Sequence, residues 1–182
     1  MFGGPGAGKG TQAQLLSAAL GSPHISSGDL LRQEQSATTQ SIMKRGDLLP
    51  DDEVARIVLA RLQQPDARRG AVLDGFPRTL AQAEMLDRWL AEHGVSLRAA
   101  VFLEVPPDEL TRRLIERGQR SGRVDDQSNV APKRLEVFAQ ELPPVLDHYA
   151  RRGLLRRVDG SGDIDQVHRQ VMAALNGPVM EV

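Results

Sequence analysis

Cysteine is absent from the 182-residue chain, and its absence excludes a disulfide framework and a zinc site built from thiolates. An excess of charge of one sign is lacking too, because 23 lysines and arginines stand against 24 aspartates and glutamates. The net charge of −1 therefore gives no general attraction to nucleic acid or to a membrane surface. Basic groups can act only where they cluster.

Long apolar runs are also missing, since no stretch approaches the length of a membrane span and the N-terminus has no charged-then-apolar signal pattern. We therefore expect a cytoplasmic protein with no membrane and no nucleic-acid partner. With 40% hydrophobic and 26% charged residues, the length fits one globular domain. We expect residues 1–182 to form this domain and the protein to be a monomer.

A glycine-rich stretch, MFGGPGAGKGT, opens the chain and is typical of a loop that cradles polyphosphate. Gly3, Gly8 and Lys9 satisfy the pattern GxxxxGK, in which backbone N–H groups turn inward around a β-phosphate and the lysine bridges the β- and γ-phosphates. The following residues predict a helix whose N-terminus also faces the anion. The alternative interpretation is a flexible glycine-rich N-terminus. The predicted phosphate contacts are Gly4, Pro5, Gly6, Ala7, Gly8, Lys9, Gly10 and Thr11.

Two features depart from the general phosphate-loop pattern. Gly10 stands directly after Lys9, where a hydroxyl usually ligates Mg²⁺, so we expect Thr11 to contact the α-phosphate instead. Only Met1 and Phe2 precede the loop, although such a loop follows a strand that is central and buried on both faces. We expect this first strand to be missing or truncated through a misassigned or trimmed start, which would leave a gap between its two neighbours.

A second motif, DGFPR, follows an apolar strand predicted over 71–74. Its acid, Asp74, ends a buried strand beside a phosphate loop and is placed to hold Mg²⁺ directly or through water. Gln82 comes four residues after Arg78 and lies on about the same face of the following helix. A lone Asp-Gly pair would usually be only a turn, but two such motifs in this order are hard to reach by chance.

Further polar groups lie in the stretch ISSGDLLR, where Ser27 can hydrogen-bond a base edge and Arg32 can grip a phosphate with two N–H groups. On their own, a helix cap and a solvated arginine would be the usual interpretation. Asp51 precedes a helix with apolar residues at helical spacing and is a candidate N-cap.

Arginines cluster again in the second half of the chain. Arg113 and Arg117 share a helix face, a polar loop is predicted over 118–126, and Pro132 restarts a helix that carries Arg134. Around a glycine-hinged segment, these arginines suggest a lid that closes over phosphates. A solvated charged helix and loop is the alternative.

Four stretches in this order, GGPGAGKGT, ISSGDLLR, DGFPR and SGRVDD, resemble those of the adenylate kinases with a short lid. The resemblance covers essentially the whole chain apart from the first strand. It implies an α/β fold of the P-loop NTPase type, with a parallel sheet of order 2-3-1-4-5 flanked by helices. It also implies an NMP-binding arm near 27–63, whose segment 46–50 contacts the acceptor nucleoside, and a lid near 117–131.

The implied reaction is the reversible, Mg²⁺-dependent transfer of a phosphoryl group from ATP to AMP, giving two ADP and serving adenine nucleotide homeostasis. A kinase for UMP or CMP is one alternative, and a nucleotide-binding module without catalysis is another of a different class. Relatives that prefer pyrimidines carry alanine and asparagine at the positions of Ser27 and Gln82. Gln82 therefore favours AMP.

The resemblance also assigns roles to residues. The predicted catalytic residues are Lys9, Arg78, Arg117, Arg123 and Arg134. The donor ATP is expected to contact the loop residues named above together with Arg113, Arg117 and Gly162. The acceptor AMP is expected to contact Ser27, Arg32, Asp47, Leu48, Leu49, Gly75, Arg78, Gln82, Arg123 and Arg134. Asp74 is expected to hold Mg²⁺ through water, with Asp29 in support, and no histidine is given a catalytic role.

Overall fold

A computed structural model describes residues 1–34, 36–121 and 130–176 of the chain. Helices lie between successive strands, as expected for an α/β fold, and a short 3₁₀ turn at Pro65–Ala67 separates α4 from β2. The elements are α1 (Lys9–Leu20), β1 (His24–Ser26), α2 (Ser27–Gln33), α3 (Ala37–Lys44), α4 (Asp51–Leu62), β2 (Val72–Asp74), α5 (Leu80–Glu92), β3 (Ala100–Glu104), α6 (Pro107–Ser121), α7 (Ala131–Ala150), β4 (Leu155–Asp159) and α8 (Ile164–Asn176).

The strands are parallel and pair as β1 with β2 and β3 with β4. Phe2 lies between the two pairs, where it forms a parallel bridge with Phe102 and donates its N–H to the Val101 oxygen at 2.7 Å. The Met1 nitrogen donates to the Leu73 oxygen at 2.7 Å on the other side. Across the sheet the order is therefore β1, β2, the Phe2 bridge, β3 and β4. If Phe2 is counted as the first strand of the chain, this is the predicted order 2-3-1-4-5.

Several helices begin where the sequence supplies a cap. The Ser26 hydroxyl accepts a hydrogen bond from the Asp29 N–H at 3.2 Å at the start of α2, and the Thr79 hydroxyl accepts one from the Gln82 N–H at 3.2 Å at the start of α5. Helix α6 begins at Pro107 and carries acidic residues in its first turn, which suits the positive end of the helix dipole.

Two local predictions were wrong. Asp51 is not the N-cap of α4, because Pro50 occupies that position in an extended conformation and Asp51 is the first helical residue. Its carboxylate instead reaches two donors on α5. The loop predicted from 118 starts later, since α6 continues to Ser121. One glycine inside a helix costs only about 1 kcal/mol, which is too little to end it at Gly118.

Three clusters of buried apolar side chains stabilise the sheet and its helices. One contains buried residues of α1, α6 and α8 and of the strands β2, β3 and β4, and a second contains buried residues of β1, α2, α4 and α5. A third lies between β3, α5 and α7 around Tyr149, which is fully buried. Within the described ranges, no helix is long and apolar enough to cross a membrane.

Candidate active site

The phosphate loop occupies residues 3–8, between the Phe2 bridge and the first turn of α1. Three glycines have positive φ, with values of 145° at Gly3, 88° at Gly6 and 88° at Gly8. A side chain at Gly6 would come within 2.7 Å of the Leu110 oxygen, whereas one at Gly8 would meet nothing within 4 Å. Gly8 therefore faces open space at the N-terminus of α1, where an anion can be bound by backbone N–H groups.

Lys9 is held over this loop by the backbone. Its ammonium donates to the oxygens of Gly3 at 2.8 Å and Gly4 at 2.9 Å. Burial lowers the pKa of Lys9 from its ordinary 10.5 to about 8; Asp74 opposes this shift, and the neighbouring arginines add to it. The loop therefore holds a cation whose charge is poorly compensated until an anion arrives.

Asp74 ends β2 beside Lys9 and lines the same cavity. Burial would raise the pKa of this carboxyl, but a hydrogen bond from His24 at 3.3 Å and the charge of Lys9 hold it below its ordinary value. His24 supports Asp74 from the neighbouring strand. No local sequence pattern indicated this role, because the contact depends on the alignment of β1 with β2.

Asp74 and Asp29 border the cavity together with the Thr11 residue of α1. Among the described residues, no group of three or more histidine, aspartate or glutamate side chains could hold a metal ion by itself. This donor set fits Mg²⁺, which is usually bound by one or two carboxylates plus phosphate oxygens and water. It does not fit an ion that needs a full protein cage.

The main cavity has a volume of about 500 Å³ and lies against the loop. Five arginines from different parts of the chain line its wall, along with Lys9. They are Arg32 on α2, Arg78 after β2, Arg113 and Arg117 on α6, and Arg134 on α7. A cavity with this concentration of positive charge binds polyanions.

A second, wider cavity of about 840 Å³ opens on the outer side of the loop, where Gly8, Thr11, Arg117 and Gly162 lie on its wall. Arg113 also lines it, but its guanidinium is bonded to the backbone. It donates to the oxygens of Gly160 at 3.0 Å and Ser161 at 3.1 Å, and to Glu109 at 2.6 Å. Arg113 therefore joins α6 to the turn that follows β4.

The third cavity is small, about 50 Å³, and lies between α2, α4 and α5. Apolar and polar groups share its wall, among them Ser27, Leu48, Leu49, Val54 and Gln82. The Ser27 hydroxyl donates to the Gly75 oxygen at 2.7 Å. This mixture is typical of a pocket for a flat, partly polar ring. The volume has room for only a few water molecules, so a nucleobase does not fit this cavity in the present conformation.

Gln82, which is 1% exposed, is bonded at both ends of its amide. Its oxygen accepts from the Arg78 N–H at 2.8 Å, and its NH₂ group donates to Asp51 at 2.8 Å. The Thr79 hydroxyl donates to the same Asp51 oxygen at 2.9 Å. The sequence did not reveal this network, because Asp51 lies 31 positions before Gln82.

The turn between α3 and α4 contacts the start of α7. The Lys133 ammonium lies 2.5 Å from an Asp47 oxygen, and Arg45 contacts the other oxygen at 3.2 Å. These two cations lower the pKa of Asp47. Gly46 has φ 76°, and a side chain there would come within 2.8 Å of Val130 and 3.0 Å of Arg134. The two segments are therefore in direct contact.

The structure brings together nearly all the residues proposed from the sequence. Within the described ranges, every one of them lines one of the three cavities except Gly4 and Ala7. The N–H of Ala7 donates to the Gly4 oxygen at 3.0 Å, so these two residues shape the loop from within. Arg123, and with it most of the predicted lid, lies outside the described residues.

Comparisons with known proteins agree with this arrangement. A family model described as adenylate kinase matches residues 1–154. The adenylate kinase of Thermus thermophilus is 45% identical over 180 residues, which cover 96% of this chain and 94% of that protein. That of Thermobifida fusca is 44% identical over 181 residues, with 96% of each covered. That of Stenotrophomonas maltophilia is 41% identical over 183 residues, with 97% and 98% covered.

The family match extends over most of the chain, and each relative is aligned over nearly its full length. The phosphate loop, the cavity lined with arginines and the parallel sheet are the features expected of a phosphotransferase that acts on nucleoside monophosphates. The chain belongs to the adenylate kinase family.

Proposed function

We propose that the protein transfers the γ-phosphoryl group of Mg²⁺-bound ATP to AMP, reversibly and with two ADP as products. The observation that carries this proposal is the main cavity, in which the phosphate loop and five arginines from four separate segments share a wall. A site for one nucleotide alone would not need cations on so many sides. Two substrates whose phosphates meet do need them, because transfer concentrates negative charge at one point.

Catalysis here consists of positioning and charge stabilisation. Lys9 leaves the oxygens of Gly3 and Gly4 and binds the β- and γ-phosphates of the donor. Arg78, Arg117 and Arg134, together with Arg123, stabilise the charge on the transferring group. The donor ATP also contacts the phosphate loop, and its α-phosphate contacts Thr11. At the wider cavity it contacts Arg113 and Gly162. No base is needed, because the attacking phosphate oxygen of AMP is already ionised.

Magnesium is bound with the donor in this proposal. Asp74 would hold it through water and Asp29 would support it, which agrees with the low pKa that keeps Asp74 ionised. When bound, Mg²⁺ neutralises charge on the β- and γ-phosphate oxygens. The chain's own task is to keep a carboxylate charged within reach of Lys9 and the loop.

The acceptor lies between α2, α4 and α5. Arg32 and Arg78 grip its phosphate, segment 47–49 lies against the nucleoside, and Gly75, Ser27 and Gln82 border the base. Residues of a single chain supply both nucleotide sites, so we propose that the protein acts as a monomer. We also propose that it acts in the cytoplasm.

A panel of acceptors tests this function. ADP formation is measured by a coupled assay with ATP and AMP, CMP or UMP. We expect AMP to be preferred by at least about 10²-fold in kcat/KM, because a pyrimidine leaves buried polar groups without partners. An equal or higher value for CMP or UMP would instead assign the protein to the pyrimidine kinases. The absence of ADP with every acceptor would mean that the protein only binds nucleotides.

A further inference from the structure

Asp51 connects the acceptor side of the molecule to the helix that carries the base-reading glutamine. It is the first residue of α4, and one of its oxygens accepts hydrogen bonds from both Thr79 and Gln82 at the start of α5. The start of α4 does not depend on this contact, since Pro50 already occupies the N-cap position. The Asp51 carboxylate therefore binds α5 and does not cap its own helix.

The two bonds to the Gln82 amide can be satisfied in one orientation only. A carboxylate accepts hydrogen bonds and a backbone N–H donates them, so the NH₂ group of Gln82 must face Asp51 and its oxygen must face the Arg78 N–H. Rotation of the amide by 180° would place oxygen against carboxylate and NH₂ against N–H. Because the side chain is 1% exposed, bulk water cannot compensate for those contacts, and the small cavity beside it has room for only a few water molecules.

We propose that Asp51 is a specificity-determining residue that positions Gln82, and the inference rests on the proposed function and deepens it. An amide NH₂ has two hydrogens and an amide oxygen has two lone pairs. One of each is used by Asp51 and Arg78. The remaining hydrogen and the remaining lone pair are thereby presented to the base pocket in a fixed order.

That order suits adenine and rejects the closely related base hypoxanthine. On its Watson–Crick edge, adenine offers a ring-nitrogen acceptor beside an amino donor, and the fixed amide answers both. Hypoxanthine has a protonated ring nitrogen beside a carbonyl, which is the reverse order. A glutamine that is free to rotate would read either base, whereas one fixed by Asp51 reads only adenine.

The test compares kcat/KM for AMP and for inosine monophosphate in the wild type and in three variants. Asp51→Ala removes the acceptor, and Asp51→Asn keeps an oxygen but can also present NH₂. Asp52→Ala is the matched control, because Asp52 lies exposed in the same helical turn and carries the same charge. The ratio of the two kcat/KM values does not depend on how much of a preparation is folded, and thermal unfolding is followed in parallel.

We expect the preference for AMP to fall at least about tenfold in Asp51→Ala and at least about threefold in Asp51→Asn, and to stay within about twofold in Asp52→Ala. KM for ATP should not change in any of them. A preference within about twofold of wild type in both Asp51 variants, or in the one that folds, would overturn the inference alone. A wild-type protein that does not phosphorylate AMP would overturn the proposed function and this inference with it.

Discussion

Lys9 has an unusual position for a cation. Its partners are two peptide oxygens, and burial lowers its pKa to about 8. In the unfolded chain the group keeps its ordinary value of 10.5, so between these two values the unfolded state binds the proton more readily than the folded state. The stability of the nucleotide-free protein should therefore rise as the pH rises through this window, and the charge is a cost to the fold at pH 7.

Replacement of Lys9 by methionine should therefore separate function from stability. Turnover should fall by roughly 10³-fold or more, because the lost charge acts where negative charge moves between the β- and γ-oxygens. The melting temperature at pH 7 should be no lower than that of wild type. Steady-state kinetics and thermal unfolding of the same preparation check both points. A variant with more than about a tenth of the wild-type rate would contradict the role of Lys9.

The pKa of Lys9 also predicts that donor binding takes up protons. Bound phosphates favour the charged ammonium, so at pH values between 8 and 9 ATP binding should be accompanied by uptake of a fraction of a proton. Calorimetric titrations in buffers of different ionisation enthalpy measure this uptake. The same titrations of Lys9→Met should show none, and equal uptake by both proteins would place the proton elsewhere.

At the scale of elements, Arg113 holds two separate parts of the fold together. It joins α6 to the turn after β4 through two backbone oxygens, so Arg113→Ala should weaken ATP binding at that turn and lower the melting temperature. Arg117→Ala and Arg134→Ala should instead reduce kcat with little change in KM, because their charge acts on the transferring group.

The control for these variants is Arg112→Ala. Arg112 precedes Arg113 on the same helix, is mostly exposed and bonds to Glu109 and Glu116, so its loss should change neither kcat nor KM appreciably. The measurements are initial rates over a matrix of ATP and AMP concentrations. Pure KM effects of similar size at Arg113, Arg117 and Arg134 would mean that these arginines only attract nucleotide and do not stabilise the transferring group.

The elements themselves were largely predictable, and their contacts were not. Apolar runs are local, so the strand predicted over 71–74 is present as β2 with an error of one residue at its start. The order of strands followed from the family resemblance. The ion pair of Asp47 with Lys133 and the bonds of Asp51 to α5 join distant positions, and no local pattern records them. The N-cap prediction at Asp51 failed for this reason.

At the scale of the whole molecule, the proposed acceptor and donor sides have separate apolar clusters. Val58 on α4 is buried in one and Val171 on α8 in the other, at 1% and 0% exposure. Val58→Ala and Val171→Ala should each cost about 2 kcal/mol of unfolding free energy. We expect the first to raise KM for AMP and the second KM for ATP, because local opening follows the weakened cluster. Equal changes in both KM values would contradict this division.

The contact between segment 46–47 and the start of α7 carries a thermodynamic consequence. The small pocket is bordered by Gly46 and Asp47. Their partners are Val130, which caps α7, and Lys133 and Arg134 in its first turn. Arg134 also lines the main cavity. A monophosphate that shifts the first segment must therefore change the environment of the second. Equilibrium coupling is reciprocal, so the factor by which one bound nucleotide alters the affinity for the other is the same in both directions.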